Sequence, residues 1–152
     1  VIAPDLCLPR LAAATAEDAL RALCRLLEGA GHVRPSFERA ALSREKRSPT
    51  GLPFPGHAVA LPHAEPEHVV TPAIAVATLA SPVTFRQMGS PATKLAVSIV
   101  VMPAFSEKEQ AGAGLGRLIE RLQDPSLRQA LVDAIDARAL AAALADFAVE
   151  GT

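Results

Sequence analysis

The stretch LPHAEPEH, residues 61–68, sets two histidines and two glutamates directly behind the apolar run HAVAL. His63 follows a helix-breaking proline at the carboxyl end of what reads as a short buried strand, a place where α/β sheets commonly hold their ligands. A neutral imidazole offers one nitrogen pair as nucleophile or ligand, and its other nitrogen can be fixed by a hydrogen bond. Two other readings stand beside the reactive one. His63 could be a surface histidine in a turn, or it could share a metal with His57, His68 and Glu65 or Glu67. Spacing opposes the metal, because a strand over 57–61 puts His57 and His63 roughly 15–20 Å apart at about 3.3 Å per residue.

Arg44 falls three and four positions after Ala41 and Ala40, on a helical face that also carries Phe37. A guanidinium on an apolar stripe requires an anion. A phosphate would serve, and so would Glu45, Glu38 or another carboxylate. The segment TGLPFPG, 50–56, can present Thr50 and backbone N–H groups to an anion, although its prolines remove donors and it is no P-loop. AGAGLG, 111–116, lacks the GxGxxG spacing and reads as a loosened helix start where a partner packs closely. Cys7 and Cys24 form no CxxC and are too few to staple a secreted fold.

These residues need a scaffold. Ala19, Leu20, Leu23, Leu26, Leu27 and Ala30 recur at helical spacing after Thr15 and Asp18, a capping pair, and Gly29 and Gly31 stop that helix. A second helix starts near Pro35 and Ser36 and ends before Pro49. TGLPFPG reads as a loop and HAVAL as a strand halted by Pro62. AIAVATLA, 73–80, and LAVSIVVM, 95–102, read as central strands covered on both faces, with VTFR, 83–86, as a separate edge or hairpin strand.

The remainder is helical. Ser106 and Glu109 suggest a capping box ahead of Ala111, Leu115, Leu118, Ile119 and Leu122. Asp124 and Pro125 open a helix with Leu127, Ala130, Leu131, Ala134 and Ile135 inward. Asp136 opens a last one with Leu140, Ala143, Leu144 and Phe147. The expected fold is one α/β domain over 1–152, a mixed central sheet of about four to five strands with helices on both faces.

Composition narrows the function. In 152 residues, half of them hydrophobic, 15 Lys and Arg balance 16 Asp and Glu, so no field of one sign points to nucleic acid or to an anionic membrane. Five Phe with no Trp or Tyr leave little for stacking against bases or sugar rings. No apolar stretch approaches the roughly 20 residues that span a bilayer, and VIAPDLCLPR lacks the basic start and apolar middle of a signal peptide. A soluble cytoplasmic protein is expected.

With SREKRSPTG, VALPHAEPEHV and FRQMGS in order, the chain resembles the enzyme IIA components of the phosphoenolpyruvate-dependent sugar phosphotransferase system, of the fructose and mannitol type. Arg44-Glu45, then Thr50-Gly51, then a strand ending in Pro62-His63 carry the resemblance. VTFRQMGS, 83–90, and RLIERLQDP, 117–125, look most like the galactitol branch. The resemblance implies that His63 accepts a phosphoryl group on Nε2 from phospho-HPr and passes it to a cysteine of a IIB component, with a IIC component as the indirect link to the membrane. It further implies that Arg44 stabilises the phosphoryl group, that Glu45 orients Arg44, that Thr50 and nearby backbone N–H groups assist, and that no cofactor or metal is needed. Mannitol and fructose members carry a second histidine at the start of the helix after the last central strand; SEKEQAGAGL has none, and Gln110 is the polar candidate there. An apolar docking patch around His63 is expected from Leu52, Phe54 and Val59.

Two alternatives remain in other classes. One is a regulatory phosphoprotein of the same fold, acting through protein–protein interaction. The other is a metal-dependent hydrolase built on the histidine cluster.

Overall fold

The structure, a computed structural model, describes residues 2–145. Its centre is a long hairpin of β4 (Ala73–Gln87) and β5 (Ser90–Ala104), which turns at Gly89 with φ +75°. That left-handed backbone is open to glycine at no steric cost. Strand β1 (Cys7–Leu11) runs parallel to β4 on one side. On the other side β3 (Ala58–Ala60) runs parallel to β5, and β2 (Gly51–Leu52) pairs antiparallel with β3. Gly51 then returns to pair with Gln87 at the far end of β4, so the five-stranded mixed sheet curls at that corner. A side chain at Gly51 would collide with the Arg86 carbonyl, 2.5 Å from its Cβ position.

Alternation along the hairpin sorts the core into two layers. Ala73, Ala75, Ala77 and Leu79 face α1 (Ala16–Gly29) and α2 (Ser36–Arg47), which bring Leu20, Leu23, Leu27, Phe37 and Ala41. Ile74, Val76, Ile99 and Val101 face α3 (Lys108–Leu122), α4 (Pro125–Asp133) and α5 (Ala137–Ala143). The α/β architecture with helices on both faces is as expected. Thr15 Oγ1 caps α1 by accepting from the Asp18 N–H at 3.1 Å. Asp124 and Asp136 cap α4 and α5 in the same way.

Several elements depart from the sequence reading. VTFR is not a separate strand; it is the outer half of β4, joined across a register shift between Thr78 and Val83. TGLPFPG is not all loop, because Gly51-Leu52 pairs with Ala60 and Val59. CLPRL forms β1, a strand with Pro9 inside it. An irregularity between Leu8 and Leu11 makes that possible: Arg10 adopts φ 53° and gives its backbone N–H to Thr78 Oγ1 at 2.9 Å.

No capping box forms at Ser106, since Glu107 is the N-cap of α3 and its side chain makes no cap bond. Ala130 and Ile135 are exposed, and Arg128 takes the inward position on α4 instead. AGAGLG is continuous helix, and what packs closely on it is this chain's own Phe105, whose ring fills the place where a Gly114 Cβ would stand. Phe147 falls outside the described residues.

Candidate active site

Two segments converge on His63. Strand β3 ends at Ala60, buried beside Val100, and Leu61-Pro62 carry the chain out at the carboxyl end of the β3–β5 parallel pair. From the other side, the last turns of α2 bring Arg44 and Glu45 next to this exit.

The hydrogen bonds define the state of the ring. His63 Nδ1 lies 2.8 Å from the Leu61 carbonyl oxygen, which can only accept, so Nδ1 carries the proton. Arg44 Nε donates to His63 Nε2 at 3.0 Å, which requires an unprotonated Nε2. The two bonds select one tautomer and leave the lone pair on Nε2. Burial, first, and the Arg44 charge hold the imidazole below its ordinary pKa; the Leu61 carbonyl and Glu65 act in the opposite direction. The half-buried ring is therefore neutral near pH 7, with an unshared electron pair on Nε2.

Glu45, expected to orient Arg44, makes no hydrogen bond or ion pair with it among the described residues. Its Oε2 accepts the Thr50 backbone N–H at 2.9 Å and its Oε1 accepts the Thr50 hydroxyl at 2.7 Å. Burial raises this carboxyl from its ordinary pKa, and the two Thr50 bonds and the Arg44 charge oppose that rise. The carboxylate that meets Arg44 is Glu65, 3.7 Å from Nη1, a residue weighed above only as a possible metal ligand.

Thr50 is 2% exposed and its hydroxyl proton is committed to Glu45. The same oxygen accepts the Leu61 N–H at 3.1 Å. A closed ring of contacts results, from Arg44 to His63, Leu61, Thr50 and Glu45, and so back through the α2 backbone to Arg44. Glu45 and Thr50 thus act on His63 from behind, through the residue that sets its tautomer.

The other expected residues separate. His57 Nε2 meets Gln129 Oε1 at 3.1 Å, and His68 Nδ1 meets Ser36 Oγ at 2.8 Å. No group of three metal-ligating side chains comes together among the described residues. Gln110 lies in the first turn of α3, after β5 leaves the sheet at the same end as β3, half-buried and with no side-chain bond to His63 or Arg44. Leu52 and Val59 are core residues, 9% and 0% exposed, and Phe54 packs under Arg128, so these three do not form a surface docking patch. Cys7 and Cys24 are free and buried, and burial pushes their thiols up to about 11 and about 12, so neither is a competing nucleophile.

Sequence reasoning missed Arg128. It gives Nη1 to the Leu122 carbonyl at 2.7 Å and Nη2 to the Pro55 carbonyl at 2.9 Å, and its guanidinium lies 4.8 Å from the Phe54 ring centre. It ties the 53–56 loop, which leads into β3, to the end of α3. The signal was present: 127, 128 and 131 share one helical stripe.

Residues 1–146 match the family described as "Phosphoenolpyruvate-dependent sugar phosphotransferase system, EIIA 2". The galactitol-specific EIIA component of the phosphotransferase system of Escherichia coli K12 is 30% identical over 102 residues, 67% of each chain. The crystal structure of IIA mannitol from Escherichia coli superimposes with a TM-score of 0.76 at 23% identity, covering 95% of this chain and 99% of that one. Nitrogen regulatory protein IIA-Ntr from Neisseria meningitidis gives 0.73 at 21%, over 95% and 96%. The structural likenesses show a shared fold. No helix among the described residues is long and apolar enough to cross a membrane.

Proposed function

The chain belongs to the EIIA type 2 family of the phosphoenolpyruvate-dependent sugar phosphotransferase system, a family of phosphotransferase components, and on that premise we propose that His63 is the residue that carries the phosphoryl group. The observation that carries this reading is the pair of bonds on its ring. Nδ1–H is held by the Leu61 carbonyl, and the Nε2 lone pair faces the Arg44 guanidinium.

In the proposed transfer, Nε2 attacks the phosphorus of phosphohistidine on HPr. A new N–P bond forms as the donor's N–P bond breaks, and that electron pair returns to the donor's imidazole. Arg44 Nε leaves Nε2 and turns to the phosphoryl oxygens, where a guanidinium offers parallel donors to a dianion. The Leu61 carbonyl accepts from Nδ1–H throughout and stabilises the positive charge that grows on the ring. Catalysis here is positioning together with charge stabilisation. Glu45 and Thr50 are positioning residues, and Gln110 is assigned as a neutral donor at the site's edge.

The acceptor is the cysteine of a IIB component, for which the precedent is the Escherichia coli complex of IIA and phosphorylated IIB of the mannitol type. The transported compound is a polyol of the galactitol type, supported by the identity to the galactitol-specific relative; the membrane link is indirect, through IIC. The whole chain, 1–152, is taken as one EIIA domain.

The test is incubation with phosphoenolpyruvate, enzyme I and HPr. One acid-labile, alkali-stable phosphate per chain is expected, absent in His63→Gln and passed on to a galactitol-type IIB. Phosphate retained in His63→Gln would refute the assignment. Refusal by every IIB tested would favour a regulatory role.

A further inference from the structure

Glu45 also walls a cavity. About 470 Å³ of space lies between the start of α1, the last turns of α2 and the outer half of β4, a size that suits a small molecule. Its apolar floor comes from Leu20 and Phe85, both buried. Its rim carries both signs: Glu17 and Glu45 on one hand, Lys46 and Arg86 on the other. None of these four has an ion-pair partner among the described residues. Glu17 is close enough that its charge opposes ionisation of Glu45. Two carboxylates facing one cavity repel each other, and an ammonium placed there relieves the repulsion. The two cations on the same rim call for an anionic group on the same ligand.

We propose that this cavity is an effector site for a small zwitterion of the amino-acid class, its ammonium between Glu17 and Glu45, its carboxylate at Arg86 and Lys46, and an apolar side chain over Leu20 and Phe85. The site is separate from His63 but shares Glu45 with the ring of contacts described above. An ammonium on that carboxylate competes with the Thr50 N–H and hydroxyl. The Leu61 N–H is held by both the hydroxyl and the backbone carbonyl of Thr50, at 3.1 and 3.4 Å, so a Thr50 that turns away from Glu45 shifts Leu61 and with it the carbonyl that fixes the His63 tautomer. Occupancy therefore slows phosphoryl uptake. This coupling rests on His63 being the acceptor; the binding itself does not.

The test uses the full chain labelled with ¹⁵N, titrated with L-leucine and L-phenylalanine, and with isoamylamine and 4-methylpentanoate as the two halves of leucine. Saturable shifts are expected at the amides of Glu17, Phe85 and Arg86. Each half and the Glu17→Gln variant should bind about tenfold more weakly, the loss of one charge-assisted contact. Phosphorylation of His63 by phospho-HPr should slow as the amino acid saturates. Absence of saturable shifts with every probe, or shifts confined to other surfaces, would overturn the site. Binding at the cavity with an unchanged phosphorylation rate would overturn the coupling. If His63 proved not to be the acceptor, the titration would still read the binding alone.

Discussion

Arg128 on α4 is 2% exposed and has both terminal nitrogens on carbonyl oxygens, whereas Arg44 on α2 gives one N–H to His63 and keeps 27% of its side chain open to solvent. One guanidinium is closed out: its terminal nitrogens are on backbone carbonyls, its Nε is buried without a hydrogen-bond partner among the described residues, and its ring neighbour is Phe54. The other gives Nε to His63 and has Glu65 at 3.7 Å from Nη1, so part of its donor fork faces solvent. The contrast separates an arginine built into the scaffold from one that the proposed transfer sets to work on it. Burial alone would have ranked them the wrong way round.

The contrast can be broken most sharply at Arg44. Arg44→Ala should slow phosphorylation of His63 by about 10²–10³-fold, the usual cost of removing one preorganised donor to a developing charge, while thermal unfolding barely moves; a large fall in Tm would place Arg44 among the scaffold residues. Arg128→Met should do the reverse. It leaves the Leu122 and Pro55 carbonyls without their donor and is expected to cost about 2–4 kcal/mol, read as a Tm lower by roughly 5–15 °C. The folded fraction should be phosphorylated at nearly the parent rate.

Thr50→Val lies between the two. Loss of the buried hydroxyl should destabilise by about 1–3 kcal/mol and slow phosphorylation by about tenfold, with imidazole ¹⁵N shifts reporting a mixed His63 tautomer. A slowed variant with an unmixed tautomer would mean that Thr50 acts by another route.

The smallest effect concerns pH. Because burial and Arg44 hold the folded His63 below its ordinary value of 6.5, the unfolded chain binds the extra proton first as pH falls. The stability this neutral ring contributes is complete above pH 6.5 and is lost as pH drops through the folded midpoint. NMR titration should give a midpoint below 6.5, closer to 6.5 in Arg44→Ala. A midpoint unmoved by that substitution would show that burial alone sets it.

Much of this was legible before any coordinates. His63 and Arg44 lie nineteen positions apart, yet each sits on a strong local signal: a proline-halted strand for one, an apolar helical stripe for the other. The helices of both layers follow from periodicity and caps. What escaped was set by partners distant in the chain. CLPRL carries a proline and makes sense as a strand only beside Val76 and Ala77, with Thr78 taking the Arg10 N–H. Two residues of β2 cannot show a period, and VTFR merges with the preceding run only because one partner, β5, spans both halves. Glu45 stands next to Arg44 in sequence, which suggested a pair, but neighbours on a helix point about 100° apart. That divergence sends one side chain to the ring nitrogen and the other to Thr50.

Both ends of the ring of contacts are mounted on consecutive residues of a single helix. The other members, Thr50, Leu61 and His63, are mounted on the ends of β2 and β3, so the contacts Arg44–His63 and Glu45–Thr50 are the two places where the ring crosses from helix to sheet. Mechanically, a partner that pushes on α2 loads both crossings together, and the two hydrogen bonds of Glu45 to Thr50 share with Arg44 the work of keeping the guanidinium at Nε2.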